Sequence, residues 1–139
     1  MANTTVVNQT EWDGTRGSLH FSLASDGTAL SDLLLLDIST LAPAPAAIKF
    51  RTVQLKMQGN FTLDFEIDAT TDTNFLTAEV QTVDETKSFF WDFRDFPGNA
   101  WHVTTTNKAA AGFTGDLLVT STGLASGDDF DLVITFTTD

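Results

Sequence analysis

The sequence predicts an all-β fold, an antiparallel two-sheet β-sandwich of jelly-roll-like type with about eight or nine strands. Three observations predict it. The chain is rich in residues that suit a pleated, half-buried surface, with 23 Thr and 12 Phe among 139 residues. Apolar side chains alternate with polar ones in short runs. The runs are separated by Gly, Asn and Pro in turn-forming combinations. At 15.1 kDa the chain has the size of one domain, expected to span 1–139, and its apolar fraction of 42% is enough to fill a core.

Taken in order, Thr5 to Gln9 reads as a first strand, although residues 1–10 can equally extend from the domain as an arm. Leu19, Phe21 and Leu23 alternate with Ser18, His20 and Ser22, which makes a strand with one buried face. Asp26-Gly27 marks a turn. Leu33 to Ile38 reads as a strand covered on both faces, because Asp32, Asp37, Pro43 and Pro45 leave no room for a stable helix. Ile48 to Gln58 changes phase: Ile48 and Phe50 face inward on even numbers, Val53, Leu55 and Met57 on odd ones. One extra residue near Arg51 and Thr52, a β-bulge, reconciles the two, as would a bend where the strand changes sheets.

Met57 and Phe61 both belong inside, which gives a three-residue loop, Gln58-Gly59-Asn60, and suggests a hairpin. The alternation resumes in Phe61, Leu63, Phe65 and Ile67. Phe75 to Thr82, Phe89 to Phe93, Asp116 to Thr122 and Phe130 to Phe136 complete the set, with a turn expected at Ser126-Gly127-Asp128. Phe21, Leu55, Phe65, Trp91, Leu132 and Ile134 are expected to meet in one core. The stretch from Arg94 to Thr114 has no clear period, and loops of that length often carry function.

The charge balance narrows the partners. Seven Lys and Arg stand against 19 Asp and Glu, a net charge of −12 that repels a phosphate backbone, so nucleic acid is not an expected partner. Most of this acidity reads as a solvated surface. The longest apolar run, Leu33 to Leu36, is far short of the roughly 20 residues that cross a bilayer, so no membrane is expected. With no Cys there is no disulfide framework. The first residues, MANTTVVNQTEWDG, have neither a basic nor an apolar signal region, so synthesis in the cytoplasm without export is expected.

Catalysis finds little support, and no cofactor or metal is expected. His20 and His102 stand far apart, and the sequence lacks the local motifs of serine hydrolases, zinc proteases and nucleotide-binding enzymes. Asp128, Asp129 and Asp131 lack the spacing of a calcium loop and read as turn chemistry. The segment from Ser88 to Pro97 is aromatic on both faces, with Phe89, Trp91 and Phe93 set against Phe90 and Phe96. One face fills the core. The other is covered by protein or offers a platform to sugar or to a partner. Trp12 and Trp101 lie in less regular stretches and are contact candidates, as indole rings often anchor interfaces.

The run from Met1 to Val6, Trp12 to Arg16, Asp92 to Phe96 with Gly98, Gly112 to Gly123, and Asp129 to Val133 resembles small virion proteins of tailed bacteriophages. The resemblance implies a head decoration, or cement, protein. Such a protein would bind the major capsid protein on the outer surface of the virion, as a trimer or dimer, after synthesis in the host cytoplasm. Val6 and Val7, within the uncharged segment Ala2 to Gln9, are then the expected clamp, adding a strand to a neighbouring chain. A phage tail or fibre component and a carbohydrate-binding jelly-roll module are the alternatives. A sugar binder should expose two or three coplanar aromatics on one face, and a cement protein an extended arm.

Overall fold

The structure is a computed structural model and describes residues 3–45, 48–80, 86–93 and 111–138. Nine strands are formed: β1 (Thr4–Trp12), β2 (Arg16–Asp26), β3 (Leu33–Leu36), β4 (Ile48–Gln58), β5 (Thr62–Ile67), β6 (Thr73–Glu79), β7 (Thr86–Asp92), β8 (Leu117–Thr122) and β9 (Ser126–Thr138). A single 3-10 turn, Ile38–Thr40, is the one helical element among the described residues. The expected all-β sandwich is therefore what forms, and all nine strands read from the alternation are present.

The strands build a five-stranded sheet in the order β1-β2-β9-β4-β7 and a four-stranded sheet in the order β3-β8-β5-β6. Every pairing is antiparallel. β5 pairs with β6, β4 with β7, β3 with β8 and β2 with β9, so the chain is one long hairpin whose successive pairs fall alternately in one sheet and the other. Two further pairings, β4 with β9 and β5 with β8, close the roll. This is the jelly-roll arrangement, and β1 is an additional edge strand outside β2.

Between the sheets lies one continuous cluster of buried side chains. Phe21, Leu55, Phe65, Leu132 and Ile134 belong to it as expected, and Trp91 packs against it half-buried. The phase change in β4 is a bulge: Phe50 pairs with Phe136 and Thr52 with Thr135, leaving Arg51 without an opposite residue on β9. Ile48, Phe50, Val53, Leu55 and Met57 are then all buried.

Three expectations are corrected. Residues 4–12 are not an arm but the edge strand β1, paired with β2 from Thr4 to Trp12 with a register shift around Val6. Both ends are pinned. The Asn3 side chain accepts from Asp26 N at 3.0 Å and donates to Thr28 O at 2.9 Å. The Trp12 ring stacks on Phe136, centroids 5.6 Å apart, and its Nε1 donates to Pro43 O at 3.0 Å.

Gln58-Gly59-Asn60 is not a hairpin loop, because β4 and β5 lie in different sheets. Met57 and Phe61 are both buried, yet parity requires only that they face the core, and a connection crossing from sheet to sheet satisfies that equally. Gly59 makes the crossing with φ +121°, and a Cβ there would stand 2.1 Å from Asp128 Oδ1. The expected turn at Ser126-Gly127-Asp128 is present and opens β9: Asp128 N donates to Ala125 O at 3.1 Å across Ser126 and Gly127, with Gly127 at φ +92°. β3 is not covered on both faces, since Leu34 is exposed while Leu35 and Leu36 are buried. As the edge strand of its sheet it has only β8 beside it.

Candidate ligand-binding face

The outward side chains of the five-stranded sheet form rows that cross its strands. Register places Phe90, Gln54, Val133, His20 and Gln9 in one row from β7 to β1. On one side of it runs Ser88, Lys56, Asp131, Ser22 and Val7, and on the other Asp92, Thr52, Thr135, Ser18 and Glu11. Alternation fixes this face, because the residues between them, such as Leu55, Leu132 and Phe21, point into the core.

Phe90 is the outlier on this polar face, with 57% of its surface exposed. Its neighbours on β7, Phe89 and Trp91, face inward opposite Leu55 and Val53. They stack on each other at 5.3 Å and 3°, with Lys87 Nζ 5.5 Å from the Phe89 centroid. That inward stack anchors β7 and holds Phe90 outward. Beside the ring a hollow of about 340 Å³ is lined by Gln54, Lys56, Ser88, Asp131 and Val133.

His20 Nε2 lies 2.7 Å from Asp131 Oδ1, and Ser22 Oγ donates to the same oxygen. Burial alone would raise the Asp131 carboxyl, but the hydrogen bonds from Ser22 and His20 outweigh it and hold it below its ordinary range. Asp131 therefore stays an acceptor at neutral pH. Thr52 Oγ1 and Thr135 Oγ1 are 2.5 Å apart on the same face. The surface thus offers one ring and a set of donors and acceptors held in register by the sheet.

The opposite face differs. Asp32, Glu66 and Asp72 each bring a carboxylate oxygen within 4.8 Å of the others, and Thr120 Oγ1 donates to Glu66 Oε1 at 2.7 Å. Burial raises the Glu66 and Asp72 carboxyls, and the neighbouring Asp32 adds to the rise. Asp128, Asp129 and Asp131 do not cluster in this way. Asp128 Oδ2 accepts from Ala125 N at 2.8 Å, which is turn chemistry as expected, while Asp131 is engaged by His20 and Ser22.

Of the expected contact residues, those that are described lie at two ends of β1. Val6, 63% exposed, and the half-buried Val7 lie on β1 at one end of the sheet. Trp12 is at the other end of the same strand, about 20 Å away, where it is largely structural. Trp101 lies outside the described residues, as do His102 and Phe96. Sequence reasoning missed Gln54, Lys56, Asp131 and His20 as a set with Phe90. Their outward parity was readable, but their adjacency depends on pairing between strands distant in the chain.

No family model matches the chain, and no curated protein does. Among solved structures it is similar to BiXyn10A CBM1 in its apo form, at 14% identity and a TM-score of 0.37 over 98% of this chain and 92% of that one. It is also similar to a mutant of CBM29-2, a family 29 carbohydrate-binding module, at 10% identity and a TM-score of 0.33 over 97% and 79% of the two chains. A further family 29 carbohydrate-binding module gives 10% identity and a TM-score of 0.33 over 98% and 77%.

Proposed function

We propose that the chain is a non-catalytic saccharide-binding module whose contact surface is the outer face of the five-stranded sheet. The observation that carries this reading is Phe90, an aromatic ring left open to solvent among side chains that hydrogen bond, one ring among the described residues where two or three were expected of a sugar binder. A pyranose has an apolar C–H face and a rim of hydroxyls. The ring suits the first, and Gln54, Lys56, Asp131 and His20 suit the second with both donors and acceptors. Two of the similar structures are carbohydrate-binding modules by their own descriptions, and the reading stands without them.

Affinity electrophoresis against a panel of polysaccharides tests it. At least one polymer should retard the protein, and Phe90→Ala should weaken that retardation about tenfold or more without changing the melting temperature. If no polymer retards the protein, or if Phe90→Ala binds as the parent does, the reading is wrong.

A second reading, decoration of a virion through the major capsid protein, is favoured by one observation. The outer edge of β1 is an exposed edge with Val6 in the open, and residues 3–10 are uncharged. Such an edge suits strand addition by a neighbouring capsid subunit or by another copy in a dimer or trimer. Val6→Lys should then abolish binding to undecorated capsids and leave polysaccharide binding unchanged.

A further inference from the structure

Building on the saccharide reading, we infer that the face is selective for acidic saccharides, with a uronate carboxylate held between Arg16 and Arg51. These side chains line a cleft of about 460 Å³ at the far end of the face from Lys56 and Asp131, together with Trp12, Ser18, Thr135 and Glu11. In a chain of 19 acidic and 7 basic residues, a guanidinium would ordinarily find a carboxylate partner. Yet neither Arg16 nor Arg51 makes an ion pair among the described residues. The Asp13 carboxylate, close to Arg16, is turned to its own loop instead: Oδ1 accepts from Thr15 N at 2.8 Å and from Arg16 N at 2.7 Å.

One irregularity of the sheet shapes the cleft. Arg51 is the bulge residue of β4, and a bulge re-aims a side chain that regular pairing would place elsewhere. On the core side of the sheet, beneath the cleft, Gly17 faces Phe136: a Cβ there would stand 2.5 Å from Glu11 O and 2.7 Å from Phe136 Cζ, so bare backbone is needed where Trp12 stacks on Phe136. Arg16 and Lys49 flank Thr137 in the adjoining row, and Glu11, Asp13 and Asp92 stand at the same end, so the charges there are mixed.

A guanidinium presents a planar fork of donors that matches a carboxylate bidentately, and Ser18 and Thr135 add hydroxyls for the ring substituents. Arg51 lies about three residues along the sheet from the Phe90 row, some 10 Å, so one oligosaccharide can stack on the ring and reach the cleft. Two opposing charges line the cleft as well: Glu11, on β1 opposite Ser18, and Asp13, whose carboxyl is lowered by its hydrogen bonds from Arg16 N and Thr15 N and, less, by the Arg16 charge.

Tryptophan fluorescence titrations of the full chain with tetragalacturonate, its methyl ester and a neutral tetrasaccharide test the inference. The acid should bind about tenfold or more tightly than the ester, and salt should weaken only the acid. Arg51→Gln and, separately, Arg16→Gln should each lose about tenfold for the acid and little for the neutral sugar, while Glu11→Gln tightens the acid severalfold. Melting curves confirm that each variant is folded. Equal binding of acid and ester, or of both arginine variants and the parent, overturns the inference while the saccharide reading survives. Failure of all three oligosaccharides to bind ends both.

Discussion

The two outer faces of the sandwich are charged in different ways. Every Lys and Arg among the described residues, Arg16, Lys49, Arg51, Lys56 and Lys87, belongs to a strand of the five-stranded sheet. The four-stranded sheet and its connections carry Asp32, Asp64, Glu66, Asp68, Asp72, Glu79 and Asp116, with no described cation among them. A net charge of −12 is therefore not a uniform coat. One face is left acidic, which repels polyanions. On the other, cations and anions interleave around an exposed ring, a surface suited to a polar ligand rather than to solvation alone.

The two faces share one core, so the largest effect should come from removing what they have in common. Phe65→Ala, beneath the four-stranded sheet, should cost about 3 to 5 kcal/mol in thermal or denaturant unfolding, and should lower ligand binding on the opposite side as the domain unfolds. If stability barely moves, the faces do not rest on a common core. Next is the crossing between the sheets. Gly59→Ala forces a side chain onto positive φ and into the Asp128 carboxylate, for a loss of about 1 to 3 kcal/mol by the same measurement.

A matched pair of surface substitutions sharpens the contrast in function. Phe90→Ala should lose about 1.4 kcal/mol or more of saccharide affinity, whereas Leu34→Ala, an exposed apolar residue on the other sheet, should lose none. Equal losses would mean that the contact surface has been assigned to the wrong sheet.

The smallest effect lies in the acidic cluster. Because burial raises the Glu66 carboxyl, the native state keeps a proton at pH values where the unfolded chain has released it. Stability then falls as pH rises from the ordinary carboxylate range through the raised native value, and stays lower above it. Glu66→Gln should stabilise the protein at neutral pH by no more than about 1 kcal/mol, and the gain should vanish in acid, where Glu66 is protonated in both states. A gain that persists at low pH would show a cause other than charge.

Local parity carried the sequence reading a long way. The conflict between Phe50 and Val53 located an irregularity near Arg51 and Thr52, where a bulge or a bend between sheets could keep both side chains inside, and the pairing makes it a bulge at Arg51. The same argument could not distinguish a hairpin from a crossing at Gly59, since both sheets bury their inward residues in one core. Phe90 was legible as part of a segment aromatic on two sides. That its side was the open one depends on β7 being an edge strand opposite Gln54 of β4. Arg16 and Arg51, like Asp32, Glu66 and Asp72, come from separate elements, and no local spacing marks groups that only tertiary pairing assembles.

The central position of β9 also governs how the molecule can form. Its partners β2 and β4 are synthesised well before it, and pairs such as Leu19 with Ile134 join positions separated by nearly the whole chain. Loop closure on that scale is slow compared with local hairpin formation. Until β9 inserts, β2 and β4 present facing unpaired edges beside the apolar rows of Leu19, Phe21 and Leu23 and of Val53, Leu55 and Met57, the state in which strand-rich chains aggregate. The face that carries Asp131, Val133 and Thr135 thus needs β9 in place, and a nascent chain halted before Ser126 would have neither the proposed contact surface nor a closed sheet.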